Sequence, residues 1–242
     1  MISANTRIMA FLMKRSVGIP GGELAGLVFL LAVAIAPMQA MAHPHVWVEM
    51  RSKVLLSADG MVTGVRVEWT TDPAYAKDAL DGLDANGNGV YEPDELARLT
   101  QENLESLASY DYFVAFRFNG EPQKNGKATN GIQTYNANDG RLTLLFTVPL
   151  ETPLDPHKGE IRLKVYDPEF FIDFEYSKKT PLLISHPLAA GCTANLMELP
   201  PDPVATQTKT MLATKGKDWK PDMEEDFGAL FAQPVVIACT AP

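Results

Sequence analysis

From His45 to Leu56 the chain alternates apolar and polar residues, the period of a strand with one face toward a core. After the turn Ala58-Asp59-Gly60 the alternation resumes in MVTGVRVEWT, Met61 to Thr70, and the two segments read as a hairpin. Further strands are expected at Tyr112 to Phe118, Arg141 to Val148, Ile161 to Tyr166 and Phe170 to Tyr176. In the last of these, Phe170, Ile172, Phe174 and Tyr176 fall on one face and Asp173 and Glu175 on the other. Short strands separated by Asn, Gly and Pro turns predict a mainly β fold, an antiparallel β-sandwich of immunoglobulin-like type.

The period changes between Asp72 and Tyr110. Asp72 before Pro73 is an N-cap with proline at the first helical position, and Tyr75, Ala79, Leu80 and Leu83 then form a short apolar face. A second helix from Pro93 carries Leu96, Leu99, Leu104 and Leu107 at helical spacing. Between them lies DANGNGVYEPDE, which fits the twelve-residue EF-hand loop position by position. Asp84, Asn86 and Asn88 take positions 1, 3 and 5, and Gly89 takes the sharp turn at 6. Val90 offers its carbonyl at 7, Glu92 the water-linked ligand at 9, and Glu95 the bidentate carboxylate at 12. Asparagine at positions 3 and 5 lowers the ligand charge and no second loop is there to pair with, so a Kd of about 10⁻⁴ to 10⁻³ M is expected; the calcium is read as a staple for the helical insertion, with a sensor that opens a groove as the alternative.

The beginning of the chain reads as an export signal. Arg7, Lys14 and Arg15 form a basic head, Leu24 to Ala36 an apolar run, and Ala40-Met41-Ala42 a small-x-small cleavage site. The expected organisation is therefore a signal peptide over 1–42, a sandwich domain over 43–199 holding the insertion 72–110, and a linker and tail over 200–242. The apolar run is shorter than the roughly 20 residues of a membrane span, and no second long apolar stretch follows Ala42, so stable insertion after cleavage is not expected. Without Arg7, Lys14, Arg15 and Glu23, 18 basic residues face 29 acidic ones. Such a balance repels phosphate backbones and attracts cations, which argues against a nucleic-acid partner. In the oxidising space that export leads to, Cys192 and Cys239 are expected to pair and tie the tail to the body, a closure worth about 4 kcal/mol in the chain-entropy model.

Cleavage after Ala42 would start the mature protein at His43 and give it a free amine. His43 and His45, two apart on a strand, share a face with Trp47 and Glu49. Pro44 has no amide proton, which excludes the square-planar amide chelate that a third-position histidine commonly makes with copper or nickel. Two imidazoles and an amine remain, a donor set for zinc, nickel, cobalt or copper, to be completed by Glu49, Asp167 or His186. His157, in DPHKG, reads as a surface turn residue.

The blocks HPHVWVE, VTGVRVEWT, GLDANGNGVYEPDEL, ENLESLASYDYF, RLTLLFTVPL, VYDPEFFIDF and a late GC, in that order, resemble an uncharacterised bacterial periplasmic family, a domain of unknown function also described as the periplasmic component of an uncharacterised ABC-type transport system. The resemblance runs from His43 to about Cys192, with the tail outside it. It implies association with nickel, cobalt or zinc transport, a membrane transport partner, and roles for His43, His45, Asp84, Asn86, Asn88, Glu95 and Asp167. The expected function is metal binding in the service of such a system. A histidine-brace copper carrier or oxidase is the first alternative, a calcium-stabilised structural or interaction domain the second. No GxSxG elbow, HExxH motif or free cysteine nucleophile points to an enzyme.

Overall fold

The structure, a computed structural model, describes residues 44–215, 219 and 226–240. The proposed signal over 1–42, with its cleavage site, and His43 lie outside the described residues.

Among the described residues the chain folds as a mainly β sandwich. One sheet has the order β5-β6-β2-β1-β8, from Thr129–Asn136, Arg141–Leu154, Val62–Thr71, Val46–Leu56 and Ile172–Tyr176, with β9 (Leu182–Ile184) also on β1. The other has the order β10-β11-β7-β3-β4, from Cys192–Leu196, Val235–Cys239, Ile161–Val165, Val114–Phe118 and Glu121–Gln123. Alternate residues of β1, Val46, Val48, Met50, Ser52, Val54 and Leu56, face the core, as the period-two pattern requires. They pack with Phe116, Leu163, Val165 and Ile237 of the opposite sheet around Trp69, whose ring lies 4.8 Å from both Phe146 and Phe174. Pairing is antiparallel except at β1, whose free edge takes β8 and then β9 in parallel. The all-antiparallel expectation is corrected there: local alternation carries no information on strand direction.

The first helix of the insertion is shorter than its sequence suggests. Asp72 accepts N–H bonds from Ala74 (2.9 Å) and Tyr75 (3.0 Å), yet α1 spans only Pro73–Ala79. Within α1 only Ala76 is buried; Leu80 and Leu83 are buried just past its end, and Tyr75, expected on the same face, is exposed. Helix α2, Pro93–Leu107, buries Leu96 and Thr100 and leans Leu104 and Leu107 on the main core. It approaches β5 closely at Gly131, where a Cβ would meet Leu104 at 2.6 Å and Thr100 at 2.9 Å. Strand β3 begins at Val114, not Tyr112, because a 3₁₀ turn over Ala108–Phe113 places Asp111, Tyr112 and Phe113 at positive φ.

The tail is the largest departure from expectation. Residues read as linker contain α3, Pro203–Ala213, capped by Asp202 on the N–H of Val204 and fully burying Leu212. Lys209 of α3 lies 3.2 Å from the buried Asp173 carboxylate and over the Phe170 ring. β11 is an interior strand of its sheet, with Val235 and Ile237 fully buried. As expected, Cys192 and Cys239 are bonded; they sit opposite one another in the β10–β11 ladder. Among the described residues, no helix is long and apolar enough to cross a membrane.

Candidate metal sites

The loop from Asp84 to Glu95 is rooted at both ends in one small apolar cluster. Leu83 immediately precedes it, Leu96 immediately follows it, and both pack with Ala76, Leu80 and Leu142. Within the loop, Tyr91 turns its ring onto Tyr135 of β5, 5.2 Å away, which fixes the loop to the edge of the sheet. Asp84 gathers the backbone: its Oδ1 accepts from the N–H of Gly87 (2.8 Å) and Asn88 (3.1 Å), its Oδ2 from that of Gly89 (2.8 Å). Gly89 makes this possible with φ +78°, a conformation that side-chained residues resist.

Glu95 closes the ring from the other side. Its Oε2 accepts the N–H of Glu92 in a capping box, and its Oε1 reaches back to the N–H of Ala85, 2.9 Å away. The position-12 carboxylate is thereby held beside position 1. Asn86 and Asn88 aim their amide nitrogens at Glu92, at 3.3 and 2.7 Å, and with Asn88 leading these donors hold the Glu92 carboxyl below its ordinary range. The donor set consists of hard oxygens, the chemistry that suits calcium, and the Val90 backbone lies on the same turn, its N–H on Asn88 Oδ1.

At the beginning of the described chain, His45 precedes β1. Its N–H donates to the Phe171 carbonyl (2.8 Å), and its ring stacks on that of Phe171 at 4.5 Å. Asp167 organises the loop that supplies Phe171. Only 5% exposed, its carboxylate accepts three backbone N–H bonds, from Glu169, Phe171 and Ile172, each at 3.0 Å. Burial pushes its carboxyl up to about 6 even though these donors pull the other way. Asp167 thus lies one loop from His45, with both of its oxygens engaged by backbone.

The other two completing residues are not brought to His45. Glu49 is four positions along, roughly 13 Å at strand spacing, and is bound by Arg141 at 2.9 Å. The Ser177 hydrogen bond and the Arg141 guanidinium hold its carboxyl below the ordinary value. His186 follows β9, and its neighbour Ser185 accepts the N–H of Leu56, at the far end of β1. Roughly 35 Å of strand separates that end from His45. The shared outward face of Trp47 and Glu49 is as predicted, but it forms a groove of about 700 Å³ with Arg51, Arg141, Asp173 and Glu175. Trp47, 47% exposed, stands in it. Sequence reasoning missed Arg141, whose partner Glu49 is 92 residues away.

A family model described as a protein of unknown function (DUF1007) matches residues 28–239. An uncharacterized protein of Haemophilus influenzae is 24% identical over 208 residues, covering 82% of this chain and 92% of the relative. An uncharacterized 15.5 kDa protein in the trpE 3' region of Spirochaeta aurantia is 33% identical over 101 residues, 42% of this chain and 70% of that protein. The family match continues through the tail, which the sequence blocks had left outside the resemblance.

Proposed function

Since the chain belongs to the DUF1007 family, whose description assigns no activity, we propose a function from the sites themselves: a periplasmic metal-binding accessory protein of a zinc, nickel or cobalt transport system. It holds calcium in the Asp84–Glu95 loop and the transition metal through His43 and His45. The observation that carries the reading is the closed loop, in which Glu95 reaches back to Ala85 while Asp84 gathers three N–H groups. Calcium there ties the insertion to the sandwich, since both loop ends are anchored in one cluster. The terminal site is supported by the fixed seat of His45 on Phe171, beside the point where cleavage would free an amine. The histidines and that amine would bind the cation as neutral nitrogen donors.

The copper reading is weaker, because it needs a further nitrogen or a suitable carboxylate facing the terminus: His186 lies at the other end of β1, and both oxygens of Asp167 accept backbone N–H bonds. The interaction-domain reading is favoured by one feature, the exposed Trp47 in its charged groove.

The test is to express the chain with its own leader, purify it from the periplasm, confirm that it starts at His43, and titrate zinc, nickel, cobalt and copper. A second preparation carries one extra residue before His43. The native start binds at least one of these metals tenfold or more tightly than the extended form. Equal affinities for all four would overturn the terminal site.

A further inference from the structure

Outside both of these sites, a third group of ligand-type side chains gathers at the end of the second sheet. Nε2 of His157 and the sulfurs of Cys192 and Cys239 all lie within 4.8 Å of one another, and Nε2 is 3.7 Å from the Cys192 sulfur. We propose that these three residues are a redox-gated metal site: as a disulfide the pair is closed, and as thiolates it joins the His157 imidazole to bind a thiophilic cation, zinc or cuprous copper.

The backbone holds the sulfurs together without help from the bond between them. Cys192 and Cys239 are the terminal pair of an antiparallel ladder that continues through Thr193–Ala238, Ala194–Ile237, Asn195–Val236 and Leu196–Val235. β11 is itself fixed by pairing with β7 and by the buried Val235 and Ile237. Beyond the cysteines, the N–H of Thr240 donates to the Gly191 carbonyl at 2.9 Å, which closes the ladder past the bridge. His157 is placed separately. It sits in the turn after β6, where its own N–H is held by the Asp155 carboxylate (3.0 Å) and that of Lys158 by the Asp155 carbonyl. Loss of the S–S bond therefore leaves three donors in reach of one another.

The location permits exchange with solvent. His157 is exposed and both cysteines are half-buried, so a dithiol reductant can reach the bridge. In that step two electrons and two protons pass to the sulfurs, giving two thiols, while the reductant becomes a disulfide. Metal binding then releases both thiol protons, and His157 contributes the Nε2 lone pair. Two thiolates and an imidazole are soft-to-borderline ligands, and such a set leaves a fourth position for water on a tetrahedral ion. This chemistry differs from the hard oxygens of the calcium loop and from the nitrogens at the chain start.

The experiment uses the full chain, purified with its bridge intact, treated with a phosphine reductant and titrated with cobalt(II). The readout is the near-ultraviolet thiolate-to-cobalt charge-transfer band, which oxygen and nitrogen sites do not produce, so the result is independent of the terminal histidines. Expected is a band in reduced protein that saturates at the amplitude of one thiolate-bound cobalt per chain, and no band in oxidised protein. Cys192→Ser abolishes the band, His157→Ala weakens binding at least tenfold, and zinc or cuprous ion displaces the cobalt, the tighter competitor identifying the cargo. Circular dichroism accompanies each sample. A reduced, folded protein without the band would overturn the proposal, as would full affinity in His157→Ala. So would loss of strand structure on reduction, because the site requires the ladder to stand alone.

Discussion

At the scale of single residues, Asp167 shows how a carboxylate that looks like a ligand can be fully occupied by architecture. Its three N–H bonds bend the chain through Phe170, at positive φ, so that Phe171 meets His45 and β8 can begin. Replacing it with Asn leaves one side-chain acceptor where there were two and puts an amide against backbone donors, at a cost of about 1–3 kcal/mol. The pH dependence has a definite sign. With its carboxyl raised from 3.8 to about 6, the folded chain keeps a proton that the unfolded chain has released. This group's contribution to stability therefore falls as pH rises between those values. Denaturant titrations across that window should show the decline in the wild type and its absence in Asp167→Asn; parallel curves would refute the assignment. None of this was legible in the sequence, because the donors to Asp167 depend on how the following residues fold back. Asp84, Gly89 and Glu95 were legible because every partner lies within one short loop.

At the scale of elements, patterns located strands better than they located ends or long-range roles. β1, β2, β6 and β7 follow their alternation closely, since a half-buried strand writes its period directly into the chain. The turn over Asp111–Phe113 has no such signature: its left-handed residues are held by burial of Tyr112 and Phe113. The tail was misread for a related reason. Pro200 to Asp222 is rich in Pro, Thr and Lys, as linkers are, but its Asp202-Pro203 pair is a helix start of the same kind as Asp72-Pro73. The short VVIAC segment is a complete interior strand. If β11 is a core strand, Ile237→Ala lowers unfolding free energy by about 3 kcal/mol. A linker residue would change it by less than about 0.5 kcal/mol. Denaturant unfolding of that one variant separates the two readings.

At the scale of the whole molecule, the two sheets and their shared core were foreseeable, whereas the parallel edge was not. β8 and β9 reach β1 from more than a hundred residues away, and no local period records such a pairing. That edge bears on the proposed terminal site: it seats His45 on Phe171 and carries His186 to the opposite end of the strand. The chain carries net charge −9, which favours cations over anions; under the proposed function, hard oxygens in the helical insertion and nitrogens at the start of a cleaved chain would serve different ones. Calcium binding by the insertion is the claim on which the functional account rests. Its most direct measurement is the thermal midpoint of the mature protein in calcium raised to about 10 mM, for the wild type and for Glu95→Gln. A Kd of about 10⁻⁴ to 10⁻³ M gives about 1.4–2.7 kcal/mol at that concentration, a rise of about 3–10 °C. The account predicts that rise in the wild type and none in Glu95→Gln; a flat wild-type curve, or an equal rise in the variant, would contradict it.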